Sequence, residues 1–447
     1  MSEIGVERET GLPIRYVLVL WLMVLSAVAY LDRTNISIAG IEISQEFAIS
    51  KIRLGGIFSA FLIGYAGFQI PAGLLARRLG PRRTLGLLGV WWGFFIALTA
   101  LIPRGTGEAL VILVMIRFAL GAGEATMYPA TSQFVERWFP VKERGKANGF
   151  IFVGIGLGAG LTPALVNAII QHHGWRASFG FSACVGATAG LVWYLMARDT
   201  PEEHPWVGDA ERALIVSTRR VARVGEEDTA RYGRHRVPWA DILSSRAILA
   251  LTASYFSFGY VAWLFFAWMY IYMAQVRGLN LKTSALYAAL PFIAMTIGCM
   301  LGGIVSDWIA ARFGLRTGRC LLPGVALALT AGLLVVGSQA RSAETAALVL
   351  ALGAGVLYLA QSSFWAVSAD IAGEYTGVVS GMMNMGGQLG GACTAWLTPV
   401  LAARFGWEMS FVVAASLAAA GGLVWLAIDP NQQLPVVQRS VIGGAGR

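Results

Sequence analysis

A bilayer core about 30 Å thick requires about 20 apolar residues of helix to cross it, and eleven uncharged runs of that order stand in this sequence. They are residues 16–31, 54–76, 84–103, 147–170, 177–197, 247–276, 283–306, 320–340, 345–369, 375–403 and 409–428. A twelfth, 109–132, qualifies only if Arg117 and Glu124 lie inside it. The first run reaches spanning length by continuing past Asp32 and Arg33 to end near Ile38. Only 13% of residues are charged, against roughly 25% in an average soluble domain, which excludes a water-soluble fold. The expectation is an all-α membrane protein with twelve transmembrane helices in two six-helix halves, residues 1–197 and 247–447, joined by a hydrophilic linker, 198–246. Clusters such as Arg219-Arg220 and Glu226-Glu227-Asp228 mark that linker as a solvated connection, with room for one or two short surface helices.

The net charge of +9 invites a nucleic-acid reading, but the placement of Lys and Arg argues against it. Assigning alternate loops to opposite sides puts 24 on the side of both termini, 8 on the other and 2 inside helices, accounting for all 34. That is the positive-inside bias, so both termini are expected in the cytoplasm and the chain in the inner (plasma) membrane. The segment Met1–Arg15 is acidic as well as basic and opens no cleavable signal peptide. The cysteines, Cys184, Cys299, Cys320 and Cys393, show no metal-ligand spacing and are read as packing residues. No metal or organic cofactor is expected, only protons as coupling ion, and no enzyme is expected either. His172, His173, His204 and His235 lie in loops or at helix ends without a nucleophile-base or HExxH arrangement.

Internal similarity marks two related halves. Gly174-Trp175-Arg176-Ala177-Ser178-Phe179 recurs as Gly406-Trp407-Glu408-Met409-Ser410-Phe411, and Thr162-Pro163 is echoed by Thr398-Pro399. The segment Gly73 to Arg83 is echoed by Gly302 to Asp307 with Arg312, Gly318 and Arg319. Two such halves place a solute site between them near the membrane midplane.

Ionised residues at that depth cost a few kcal/mol and mark sites. Structure alone gives little reason to keep four of them, because apolar packing often replaces a buried ion pair without loss. Arg117 and Glu124 are seven apart, two turns and about 10.5 Å along one face. Asp32 and Arg33 point about 100° apart and should serve different partners, with Asn35 extending the Asp32 face. Arginine suits an anionic group because its fork stays charged and donates two hydrogen bonds, so Arg33 is the candidate for the substrate anion. Carboxyls that alternate between burial and an arginine neighbour change their proton affinity, which makes Asp32 and Glu124 the candidate proton carriers. Arg117 either binds anion or holds Glu124. Polar residues in apolar runs supply the remaining candidates for substrate binding: Tyr30, Tyr65, Gln69, Gln361, Ser363, Trp365, Asn384 and Gln388. Each of these has a competing role in interface belts or helix-helix hydrogen bonds.

Across nearly the whole chain these residues resemble the major facilitator superfamily. The Gly73-to-Arg83 segment is similar to its signature loop, in which Gly73, Arg82 and, in the second half, Asp307 correspond to gating and structural positions; Arg77 stands where the superfamily carries Asp. Tyr30-Leu31-Asp32-Arg33-Thr34-Asn35, Arg117 to Glu124, Trp138-Phe139-Pro140 with Glu143-Arg144, and Pro201-Glu202-Glu203-His204-Pro205 resemble the anion:cation symporter family within it. The resemblance implies proton-coupled import of a small organic anion by alternating access, the proton roles of Asp32 and Glu124, and pocket positions at Tyr65, Trp365 and Asn384. A sugar acid or similar hydroxylated carboxylate is the expected cargo. The seventh-span aromatics Trp263, Phe265, Phe266, Trp268 and Tyr272 would also tolerate an aromatic acid. A phosphate-ester exchanger and a non-transporting solute sensor are the other readings, and a drug antiporter is disfavoured by Pro163 following Thr162. The lipid bilayer is the expected surrounding, with no nucleic-acid partner and a monomeric state.

Overall fold

A computed structural model describes residues 13–105, 107–139, 143–215, 239–372, 375–432 and 434. The linker clusters at Arg219 and Glu226 lie outside them. Among the described residues the chain is helical and has no β-strand. The helices are α1 Ile14–Glu46, α2 Lys51–Leu79, α3 Pro81–Ala100, α4 Ala109–Glu124, α5 Met127–Trp138, α6 Arg144–His173 and α7 Trp175–Met196. The short α8 Trp239–Ser244 follows, then α9 Arg246–Ile271, α10 Leu281–Phe313, α11 Leu322–Gln339, α12 Ala343–Leu359, α13 Gln361–Ala372, α14 Thr376–Phe405 and α15 Trp407–Val424.

Eleven stretches are long and apolar enough to cross a membrane, with α4–α5 and α12–α13 each counting as one broken span. The twelfth span is α14. Its 30 residues fall short on apolarity because glycines and Asn384, Gln388, Thr394 and Thr398 dilute it, yet it packs against α9 and α2. Helix α1 ends at Glu46, two turns beyond the expected Ile38. Those turns are sustained because Glu42 accepts from the Trp175 N–H at 3.2 Å, while Glu46 accepts from Arg176 at 2.6 and 2.8 Å and from Trp175 Nε1 at 2.9 Å.

Helix pairing repeats between the halves. Helices α1–α6, α2–α4 and α3–α7 pair in the first half, and α9–α14, α10–α12 and α11–α15 are the equivalent pairs in the second. Four junctions are equivalent as well. Gly80, Gly174, Gly314 and Gly406 all hold φ between 80° and 94° or just below, at 80°, 78°, 94° and 86°, a region open to glycine and strained for other residues. Between the halves the contacts are α2–α14, α6–α10 and α1–α9, which the same twofold relation maps onto one another.

The halves meet tightly at the end opposite the termini. There a Cβ on Gly55 of α2 would collide with the Ala395 carbonyl of α14, Ser59 Oγ donates to the Ala392 carbonyl at 2.7 Å, and Tyr270 donates to Asn167 at 3.2 Å. Five turns further along the same stripes, at 3.6 residues per turn, Gly73 and Gly377 meet nothing within 4 Å. The cleft is therefore closed at the far end and open at the terminal end.

Among the described residues, the bonds of the signature residues Arg82 and Asp307 at that open end run within their own halves. Arg82 stays within the first half, its N–H bonded to Asp199 Oδ1 at 3.0 Å, its Nε to the Tyr194 carbonyl at 2.9 Å and its guanidinium over the Tyr194 ring. Asp199 thus supplies an acidic partner to a loop whose usual Asp position holds Arg77, a residue whose side chain lies outside the described ones. In the second half Asp307 pairs with Arg319 at 2.7 Å, and Arg319 also approaches Asp370 at 3.7 Å.

Candidate solute site

Helices α2 and α4 cross with almost no side chain between them. A Cβ on Gly64 would meet the Phe118 carbonyl, and one on Gly121 would meet the Phe61 carbonyl. That close approach carries Arg117 and Glu124 of α4 up against Phe61 and Tyr65 of α2. Helix α4 stops at Glu124, and Ala125-Thr126 breaks the span before α5, with Thr126 Oγ donating back to the Gly123 carbonyl at 2.8 Å.

Arg33 of α1 enters this space. Its Nε donates to Glu124 Oε1 at 2.9 Å, and its guanidinium lies 4.6 Å from the Tyr30 ring, 4.9 Å from Tyr65 and 5.5 Å from Phe61. Such faces contribute about 0.5–2 kcal/mol each to holding a cation. Arg33 and Glu124 are 4% and 0% exposed. Arg33 Nη2 and Glu124 Oε2 have no hydrogen-bond partner, so each group keeps one unused end.

Asp32 points elsewhere, as the 100° offset requires. Both its oxygens are buried without a hydrogen-bond partner, in a space it shares with Ser182, Arg117 and Glu124. Arg117 forms no ion pair among the described residues. Its guanidinium sits 4.7 Å from the Phe61 ring and its Nε is unbonded. Both arginines thus lie against the Phe61 ring. Asn35 is drawn away from the cluster, because Ser178 donates to its Oδ1 at 2.9 Å and its Nδ2 donates to Ser182 at 3.1 Å, both inside the first half.

Across the cleft, Tyr255 and Tyr358 lie in the neighbourhood of Tyr30, and Tyr358 in that of Arg33. Gln361 Nε2 donates to the Tyr255 hydroxyl at 3.2 Å, and Trp365 adjoins Tyr255. Three turns nearer the far end of α9, Phe266 touches Tyr30 at 5.4 Å and Trp263 touches Phe61 at 6.4 Å, which roofs the site. The other seventh-span aromatics do not reach it: Trp268 and Tyr272 pack on Trp407, and Phe265 lies with them. Ser363 is turned into the second half, donating to Ser306 at 3.4 Å. Asn384, Gln388 and Gln69 are half-buried, and Gln388 Oε1 and Gln69 Nε2 are unbonded.

Sequence reasoning missed Tyr128 and Tyr255. Tyr128 stands one turn after Glu124, its hydroxyl 3.3 Å from Ser26 Oγ and beside Tyr30. The i+4 spacing from Glu124 was the available signal, hidden by the break between them.

A charged site between two equivalent six-helix halves fits the family profile that matches residues 22–393, the Major Facilitator Superfamily. The chain belongs to the major facilitator superfamily. This superfamily member is 32% identical over 407 residues to a protein named probable sulfoacetate transporter from Cupriavidus necator, covering 90% of this chain and 91% of that one. It is 26% identical to the probable L-galactonate transporter of Escherichia coli, with 94% and 91% covered. A solved bacterial homologue of the human lysosomal transporter Spinster, inward-facing and unoccupied, superposes with a TM-score of 0.76 at 17% identity, covering 95% of this chain and all of that one. The protein is thus a multi-pass membrane transporter, with relatives named as probable transporters of organic anions, and its family is one of transporters rather than enzymes.

Proposed function

We propose that this transporter imports a small organic anion together with protons, across an inner membrane, with both termini in the cytoplasm. One observation carries the reading: a buried arginine, Arg33, whose Nε is held by Glu124 while its Nη2 has no partner. An arginine kept charged at depth and left with a free donor is prepared for an acceptor that arrives and departs. When the substrate anion takes Arg33, Glu124 loses its counter-charge and binds a proton; when substrate leaves, the Arg33–Glu124 pair re-forms and expels it. Asp32, lacking any hydrogen-bond partner, is the second proton carrier. Paired and protonated-plus-loaded states favour different conformations of the halves, which couples the two fluxes.

Tyr30, Tyr65, Tyr128, Tyr255 and Gln361 add hydroxyls and an amide around Arg33, which suits a hydroxylated carboxylate such as L-galactonate. The relative named for sulfoacetate favours a compact sulfonate as the second reading. Purified protein in proteoliposomes should accumulate one of labelled L-galactonate, glucarate or sulfoacetate when the exterior is acid. If it moves none of them, or moves them equally without a proton gradient, the reading is wrong.

A further inference from the structure

At the closed far end lies an open-mouthed pocket of about 270 Å³. It is walled by the end of α1 (Gly40, Ser44, Gln45), the start of α2 (Lys51, Leu54) and, from the second half, Gln275. Phe58, one turn below Leu54, meets Trp268, so the cavity sits directly over the contacts that close the cleft.

Its charge is one-sided. Lys51 lines it and has no ion pair among the described residues, only the Trp407 ring at 5.9 Å. No acidic side chain lines it among the described residues. Glu42 is held by the Trp175 N–H and Glu46 by Trp175 and Arg176, both on α7. Ser44 Oγ is buried with no hydrogen-bond partner. A lone cation, an unused hydroxyl and amides at Gln45 and Gln275, in a space this size between the halves, make a cradle for an anion.

We propose that this cavity is an entry site that captures the organic anion before the far end opens, with Lys51 as the steering cation and Ser44 as a hydrogen-bond donor. The proposal rests on the anion-transport reading for its substrate class. A cationic, partly walled mouth raises the local anion concentration and the on-rate, and salt weakens that effect.

The test uses Ser44→Cys in the full-length protein. Its thiol is reacted in intact cells or oriented liposomes with sulfonatoethyl methanethiosulfonate and, in parallel, with the trimethylammonioethyl reagent. Because Cys184 and Cys393 are exposed, rates are taken as differences from the unsubstituted protein. Adding Lys51→Gln should lower the ratio of anionic to cationic reagent rates by about three- to tenfold at low ionic strength, and Lys51→Arg should restore it. In uptake, Lys51→Gln alone should raise KM for entry of sulfoacetate or L-galactonate while keeping kcat. A reagent ratio unaffected by Lys51→Gln overturns the proposal. A shifted ratio in a protein that carries no organic anion leaves the entry site standing and removes the symport reading instead.

Discussion

Spans four and ten occupy equivalent places, pair with equivalent neighbours and break at equivalent points, at Ala125-Thr126 and at Ala360. Yet α4 brings Arg117 and Glu124 to the midplane, whereas α12 from Ala346 to Leu359 has no charged residue. Likewise α1 carries Asp32 and Arg33, while its counterpart α9 presents Tyr255, Trp263 and Phe266. The halves share a scaffold and divide the chemistry. One half holds charges that can exchange partners. The other offers rings and amides that shape the space without competing for ions, since an extra fixed charge there would trap Glu124 or the substrate.

Unequal damage from equivalent positions would sharpen this division. Arg33→Ala should lower uptake by about 100-fold or more, about 2.8 kcal/mol at 1.4 kcal/mol per decade. Removing one partner of a buried pair also costs about 3–5 kcal/mol in stability. Adding Glu124→Gln to Arg33→Ala should therefore recover thermal stability in detergent without recovering transport. Recovery of transport would break the comparison. Next in size are two glycines on one stripe of α2. Gly55→Val blocks closure at the far end and Gly73→Val blocks it at the terminal end, so each should cut turnover by about tenfold or more, the far contact being with backbone that cannot yield. They should shift labelling of a Gln361→Cys thiol in opposite directions; a shift in the same direction would contradict the two-ended gate.

On the uncharged side, Gln361→Ala should raise KM only about two- to tenfold, the loss expected of one hydrogen bond, with kcat nearly kept. A loss comparable to Arg33→Ala would place essential chemistry in both halves. The smallest effect concerns the linker. His204 is 1% exposed, its Nε2 3.0 Å from the Met196 carbonyl and its Nδ1 accepting from the Trp206 N–H. Burial pushes its imidazole below the ordinary histidine range. A depressed value means the unfolded chain takes the proton first, so this contribution to stability is present above about pH 6.5 and declines as pH falls toward the lowered value. Thermal melts between pH 7.5 and 5 should show a decline that is smaller in His204→Gln, values chosen to bracket the ordinary histidine pKa of about 6.5.

Most of the architecture was legible because the bilayer imposes it: length and absence of charge located the spans, and repeated motifs located the halves. What escaped depended on partners distant in sequence. The last two turns of α1 persist through Trp175 and Arg176; the break after Glu124 is marked only by Pro129 in the first turn of α5, and the break after Leu359 has no proline to announce it. At the site, a period of 3.6 residues separated Asp32 from Arg33 correctly. Asn35 shares the Asp32 side but is claimed by serines of α7, and Ser363 by Ser306, because a short polar side chain in a helix bundle goes to whichever neighbour packing supplies. The rank of Trp365 among pocket residues rested on family position, and it reaches the site only through Tyr255.

The central claim is that Glu124 exchanges Arg33 for a proton when substrate binds. Proteoliposomes carrying an interior pH dye, given substrate outside without an imposed gradient, test it directly. The wild-type interior should acidify with substrate entry, and Glu124→Gln should exchange internal for external substrate while losing that acidification. Acidification of equal extent in Glu124→Gln would contradict the account.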